Sequence, residues 1–126
     1  MNRVLALALL LQAVALPAAV PTARAAEPIT IRTNTAGELA DACGTNPREP
    51  GADARINFCH GFAQGAITVQ LRTAGDKKPF CFPTPAPKRS VTMGEFVNWV
   101  RAVPTRASLP SVDGLFQFLG ERYPCK

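Results

Sequence analysis

The sequence predicts an all-α protein, a compact bundle of about four helices stapled by two disulfides. Three observations carry that reading. Apolar residues recur at helical spacing in four segments separated by proline-rich connections. Two segments open with Thr-x-x-Glu, the signature of a capped helix start. Four cysteines, Cys43, Cys59, Cys81 and Cys125, lie in a short chain behind an apolar leader.

The leader fixes the compartment in which the cysteines are read. Arg3 gives it a positive start, residues 4–16 are apolar apart from Gln12, and Ala23-Arg24-Ala25 has the small-x-small form of a processing site. Residues 1–25 are therefore expected to be a signal peptide cleaved near Ala25, leaving one domain over 26–126. The apolar run is too short for a membrane span, and no later segment reaches spanning length. A mature chain of this size buries roughly two-thirds of its unfolded surface, enough for one core. The expected location is the periplasm, where disulfides form and persist.

Residues 27–34 are polar, with Ile29 and Ile31 alternating, and suit an arm more than a strand. Thr35-Ala36-Gly37-Glu38 then forms a capping box, in which the threonine oxygen accepts from an otherwise orphaned amide and Glu38 reaches back to the cap. The first helix is expected over Ala36–Cys43, with Leu39 and Cys43 on its inner face and Gly44 ending it. Pro47, Pro50 and Gly51 make a loop, and Asp53 is the expected N-cap of a long second helix over 54–73. Its apolar set is broad: Ile56, Cys59, Ala63 and Ile67, with Phe58, Phe62, Ala66 and Val69 alongside. That breadth predicts a central helix touched on more than one side. Gly61 and Gly65 each cost about 1 kcal/mol of helix propensity, which predicts a compensating close approach of another backbone.

Asp76-Lys77-Lys78-Pro79 reads as a charged turn, and Phe80-Cys81-Phe82-Pro83 as a return to the core before Pro85 and Pro87 stiffen the connection. A second capping box at Thr92-Met93-Gly94-Glu95, with Val91 and Phe96 at the staple positions, predicts a third helix over 93–103. Phe96, Val97 and Val100 face inward and Pro104 stops it. A fourth helix over 110–122 carries Val112, Leu115, Phe116 and Leu119 at helical spacing, and Pro124 ends it.

Composition narrows the function. The formal charge is +5, and loss of Arg3 and Arg24 with the leader reduces it to +3. Basic residues are scattered, with Lys77-Lys78 and Lys88-Arg89 as the only pairs, and no aromatic residues interleave them. That pattern argues against nucleic-acid binding. The cysteines form no C-x-x-C pair, so zinc would need four distant arms, and no metal or other cofactor is expected. Cys59 and His60 are sequence neighbours that point about 100° apart on a helix. His60 is also the only histidine, and a cysteine held in a disulfide cannot attack. No catalytic constellation remains, so the chain does not read as an enzyme.

The ordered set Leu39-x-x-x-Cys43, Cys59-His60-Gly61-Phe62-x-x-Gly65, Cys81-Phe82-Pro83, Phe96-x-x-Trp99-Val100-x-x-x-Pro104 and Tyr123-Pro124-Cys125 resembles the Rap/Tai immunity family of small, helical, disulfide-bonded periplasmic proteins. The resemblance covers residues 35–125. It implies a partner, a peptidoglycan amidase effector of the type VI secretion system, bound so that its active-site groove is blocked; several relatives are dimers, so a homodimer is one expected form. The Pro83-Thr-Pro-Ala-Pro stretch is richer in proline than that pattern, so contact residues are not carried over position by position. Arg48 and Glu49 in one loop, and Asp76, Lys77 and Lys78 in another, are the expected partner-binding candidates. If the first two helices form an antiparallel hairpin, Cys43 meets Cys59, leaving Cys81 to pair with Cys125. The competing class is a small periplasmic helical chaperone or stress protein with no dedicated toxin, binding many clients through exposed apolar surface.

Overall fold

A computed structural model describes residues 28–126. The expected leader and its cleavage site lie outside the described residues. Those described form four α-helices, α1 (Ala36–Cys43), α2 (Ala52–Thr73), α3 (Arg89–Ala102) and α4 (Ser111–Arg122), with a 3₁₀ turn at Pro104–Ser108 between the last two. The all-α expectation holds, and both disulfides pair as expected, Cys43 with Cys59 and Cys81 with Cys125.

The start of α1 follows from local chemistry. The Glu38 amide donates to Thr35 Oγ1 at 3.2 Å while the Asn34 and Thr35 amides donate to the Glu38 carboxylate, so two helix-end donors and the amide just before them are satisfied. Thr35 also pairs with Pro110, and the Ala36 amide donates to Leu109 O at 2.8 Å. The beginning of α1 is thereby stitched to the beginning of α4.

The expectation for α2 needs three corrections. It starts at Ala52, not 54, because Gly51 is the N-cap at φ +76°, a left-handed conformation that glycine adopts without steric cost. A side chain there would also strike Ile29 Cδ1. Asp53 instead sits in the first turn, where its charge complements the helix dipole. The helix is not central either: its buried residues are Ala52, Cys59 and Ala63, while Phe58 is 40% and Val69 63% exposed. Nor do Gly61 and Gly65 mark a close approach, since a Cβ at either would meet nothing within 4 Å.

The centre is α1, the shortest of the four. It packs against α2, α3, α4 and the 3₁₀ turn. Ala36, Leu39, Ala40 and Ala42 are buried, and their small size lets several elements approach at once. The close backbone approach belongs to α4, where a Cβ on Gly114 would fall 2.6 Å from Ala36 Cβ. Around α1 lie Phe80, Phe96, Leu115 and Leu119, all without solvent exposure. Phe96 meets Phe118 edge-on with centroids 5.7 Å apart, and Phe80 packs at 5.9 Å from Phe116, arrangements that aromatic quadrupoles favour.

Helix α3 begins at Arg89, four residues before the expected 93. The Thr92–Glu95 pair is not a capping box. Thr92 is a buried residue inside the helix, and Val91, at 51% exposed, makes no staple with the buried Phe96. The connector's last proline, Pro87, delivers the chain at Lys88 in an extended conformation from which the helix starts. Helix α3 ends at Ala102, and Pro104 opens the 3₁₀ turn instead of only stopping a helix. On α4, Leu115, Phe118 and Leu119 are buried, whereas Val112 is exposed.

Candidate functional site

All four cysteines are consumed in disulfides, and no cluster of His, Cys, Asp or Glu among the described residues has the geometry of a metal site. His60 is half-buried on α2, and no hydrogen bond from another described residue orients its ring.

Two polar clusters do form, and each is satisfied internally. Arg122 donates two hydrogen bonds, at 3.0 and 3.1 Å, to the Glu95 carboxylate, which also accepts from the Tyr123 hydroxyl at 3.3 Å. The Arg122 bonds hold the Glu95 carboxyl below the ordinary carboxylate range against an opposing desolvation effect, and Glu95 in turn raises Arg122. In the second cluster Trp99 Nε1 donates to Glu121 at 2.6 Å and Gln117 donates to its other oxygen at 3.1 Å. The Trp99 bond, then the Gln117 bond, lower the Glu121 pKa. Arg106 lies 4.0 Å above the Trp99 ring and 3.6 Å from Glu121. These clusters fasten α3 to α4 and the 3₁₀ turn.

The candidate contact residues all lie on exposed loops. Arg48 and Glu49 sit in a turn organised by Asn46, which accepts from Arg48 N at its side chain and from Glu49 N at its carbonyl. The Cys43–Cys59 disulfide closes this segment. Asp76, Lys77 and Lys78 follow α2, where Gly75 takes φ +56° and Lys77 N donates to Ala74 O. The structure does not bring the two loops together. They stand at opposite ends of the 22-residue α2, about 33 Å apart at 1.5 Å per residue.

Among the clefts the structure forms are two that the sequence reading did not single out. One, of about 560 Å³, is walled by the second half of α2, the proline connector and the start of α3. The other surrounds the Cys81–Cys125 disulfide and includes Glu95, Arg122 and Tyr123. The signal available in sequence was the pair Ile67 and Leu71, whose helical spacing matches core and groove wall alike. No described helix is long and apolar enough to cross a membrane.

The model of one protein family, described as Rap1a immunity proteins, matches residues 35–125. No curated protein and no solved structure matches the chain.

Proposed function

This chain belongs to the Rap1a immunity protein family, and from that premise we propose that it protects against a peptidoglycan amidase toxin by binding it and covering its active-site groove. The observation that carries the proposal is the extent of the match. Residues 35–125 span every described helix and all four cysteines, so the whole frame belongs to an immunity family whose role implies a cognate toxin. Immunity proteins of such a family are typically non-enzymatic inhibitors.

An occluding inhibitor needs a rigid surface in the toxin's compartment. The Cys43–Cys59 bond closes the Arg48–Glu49 segment, and a crosslink over a loop of that length contributes roughly 3 kcal/mol in the chain-entropy account. A loop held in advance loses less freedom on binding. We place the protein in the periplasm because disulfides persist in oxidising compartments and because the amidase's substrate is the cell wall.

The test is titration of the oxidised chain into each peptidoglycan amidase encoded in its own genome, with cell-wall hydrolysis as readout. Stoichiometric loss of hydrolysis at nanomolar affinity is expected. Undiminished hydrolysis with saturating protein would overturn the proposal. Because the two loops are about 33 Å apart, alanine substitution at Arg48 and Glu49 in one variant, and at Asp76, Lys77 and Lys78 in another, reports which end of α2 faces the toxin. Weak suppression of aggregation across many unrelated clients would instead mark the chaperone class.

A further inference from the structure

The second half of α2 is covered on one side only. Ala63 is the last buried residue of that helix. Beyond it Ile67 and Leu71, four residues apart, lean on the core while part of their surface stays open. Phe82 from the connector and Met93 from α3 supply further walls, and the resulting cleft of about 560 Å³ falls within the roughly 300–1,000 Å³ range of sites that bury a ligand.

The mouth of this cleft is cationic. Arg72 reaches it from α2 and Arg89 from the first turn of α3, with Lys88 adjacent in sequence, and none of the lining residues is an acid. Neither arginine is in an ion pair among the described residues. Arg89 donates at 2.6 Å to Gln64 Oε1, a neutral acceptor that an incoming carboxylate would displace, because charge-assisted hydrogen bonds are roughly twice as strong. Helix α3 starts here with no side-chain cap and no acid in its first turn, so its positive end adds to the same potential. An apolar floor under an acid-free cationic rim is complementary to an apolar residue flanked by carboxylates.

We infer that this cleft is a docking groove for an acid-flanked apolar segment of a partner protein. The inference rests on the inhibitory reading above, which makes the toxin the bearer of that segment. It adds a surface lying on neither candidate loop. Rim charges act mainly on association, so the groove guides the toxin as well as holding it.

The experiment compares the wild-type chain with R72E/R89E for binding the peptidoglycan amidase that the wild-type chain inhibits, by stopped-flow association and by titration at two salt concentrations. Both arginines are exposed, so the variant should keep its melting temperature. Weakening of roughly tenfold or more, mostly in the association rate, with affinity restored by acid-to-lysine changes in the toxin segment, supports the groove. Wild-type affinity in R72E/R89E overturns it while leaving the inhibitory reading in place. Conversion of a dimer to monomer in R72E/R89E by sedimentation, with toxin affinity unchanged, also overturns it and assigns the groove to a second copy. Failure of the wild-type chain to bind any peptidoglycan amidase encoded in its own genome overturns both readings.

Discussion

The same substitution, glycine to alanine, should have opposite effects on α2 and α4. At Gly65 a Cβ meets nothing within 4 Å, so alanine contributes only its helix propensity, about 1 kcal/mol of stabilisation. At Gly114 the added Cβ would fall 2.6 Å from Ala36 Cβ, where carbon atoms prefer roughly 3.5–4.0 Å. Ala36 has no rotatable side chain to yield, so α1 and α4 must part at the point where the Ala36–Leu109 and Ser111–Asn34 backbone bonds hold them. Overpacking of that kind costs about 1–3 kcal/mol, which exceeds the propensity gain for a net loss of roughly 1 kcal/mol. G65A and G114A should therefore differ by about 2 kcal/mol. At roughly 4–8 °C per kcal/mol for a domain near this size, their melting temperatures should lie on either side of wild type and at least about 8 °C apart. Far-UV circular dichroism melts of the oxidised proteins measure this directly. A G114A melt at or above that of G65A would refute the close crossing of α1 and α4 and the openness of the Gly65 face together.

Other outcomes follow from the disulfides, the core and the Glu95 cluster. Replacing Cys81 and Cys125 by serine removes a crosslink across a separation of 44 residues, worth about 4 kcal/mol in the entropy account, and should lower the denaturant midpoint accordingly. Under mild reductant this bond should open first, because Cys81 and Cys125 are exposed whereas Cys59 is fully buried; alkylation and peptide mapping at successive times would show the order. Phe80→Ala should cost about 3–5 kcal/mol, since Phe80 is fully buried between Phe82 and Phe116, and a chevron or equilibrium melt would measure it. The Glu95 pKa is depressed by Arg122, so its contribution is present above the ordinary carboxylate pKa of about 4.3 and is lost as pH falls through the lower folded value. Glu95→Gln should thus be less stable than wild type near neutrality and converge with it in acid; parallel stability curves at all pH values would contradict the assignment.

What the sequence disclosed was what local chemistry decides. The capping box at Thr35 and Glu38 needs only four residues and the backbone between them, and Gly44 follows it at a fixed distance. Centrality is not local. Eight apolar residues on α2 suggested a core helix, but burial depends on which neighbours arrive, and Phe58 and Val69 receive none that cover them. Conversely, α1 reads as modest because its buried side chains are mostly alanine, and small residues are what a helix with several neighbours requires. Thr92 and Glu95 have the right spacing for a cap, yet their polar atoms face Tyr123 and Arg122 from α4 and the residue after it. Only the folded chain reveals those partners. The candidate loops were visible as charged turns, whereas the groove needed α2, the connector and α3 to be placed together.

The stitching of Asn34–Ala36 to Leu109–Ser111 also makes the two ends of the domain depend on each other during folding. Helix α1 precedes α4 by most of the chain, and until α4 packs against it the seam between Ala36 and Gly114 has only one side. Neither the first helix nor the pair that succeeds it owns a complete interior. Folding is accordingly an event of the whole chain, and a fragment ending after α3 should remain protease-sensitive throughout.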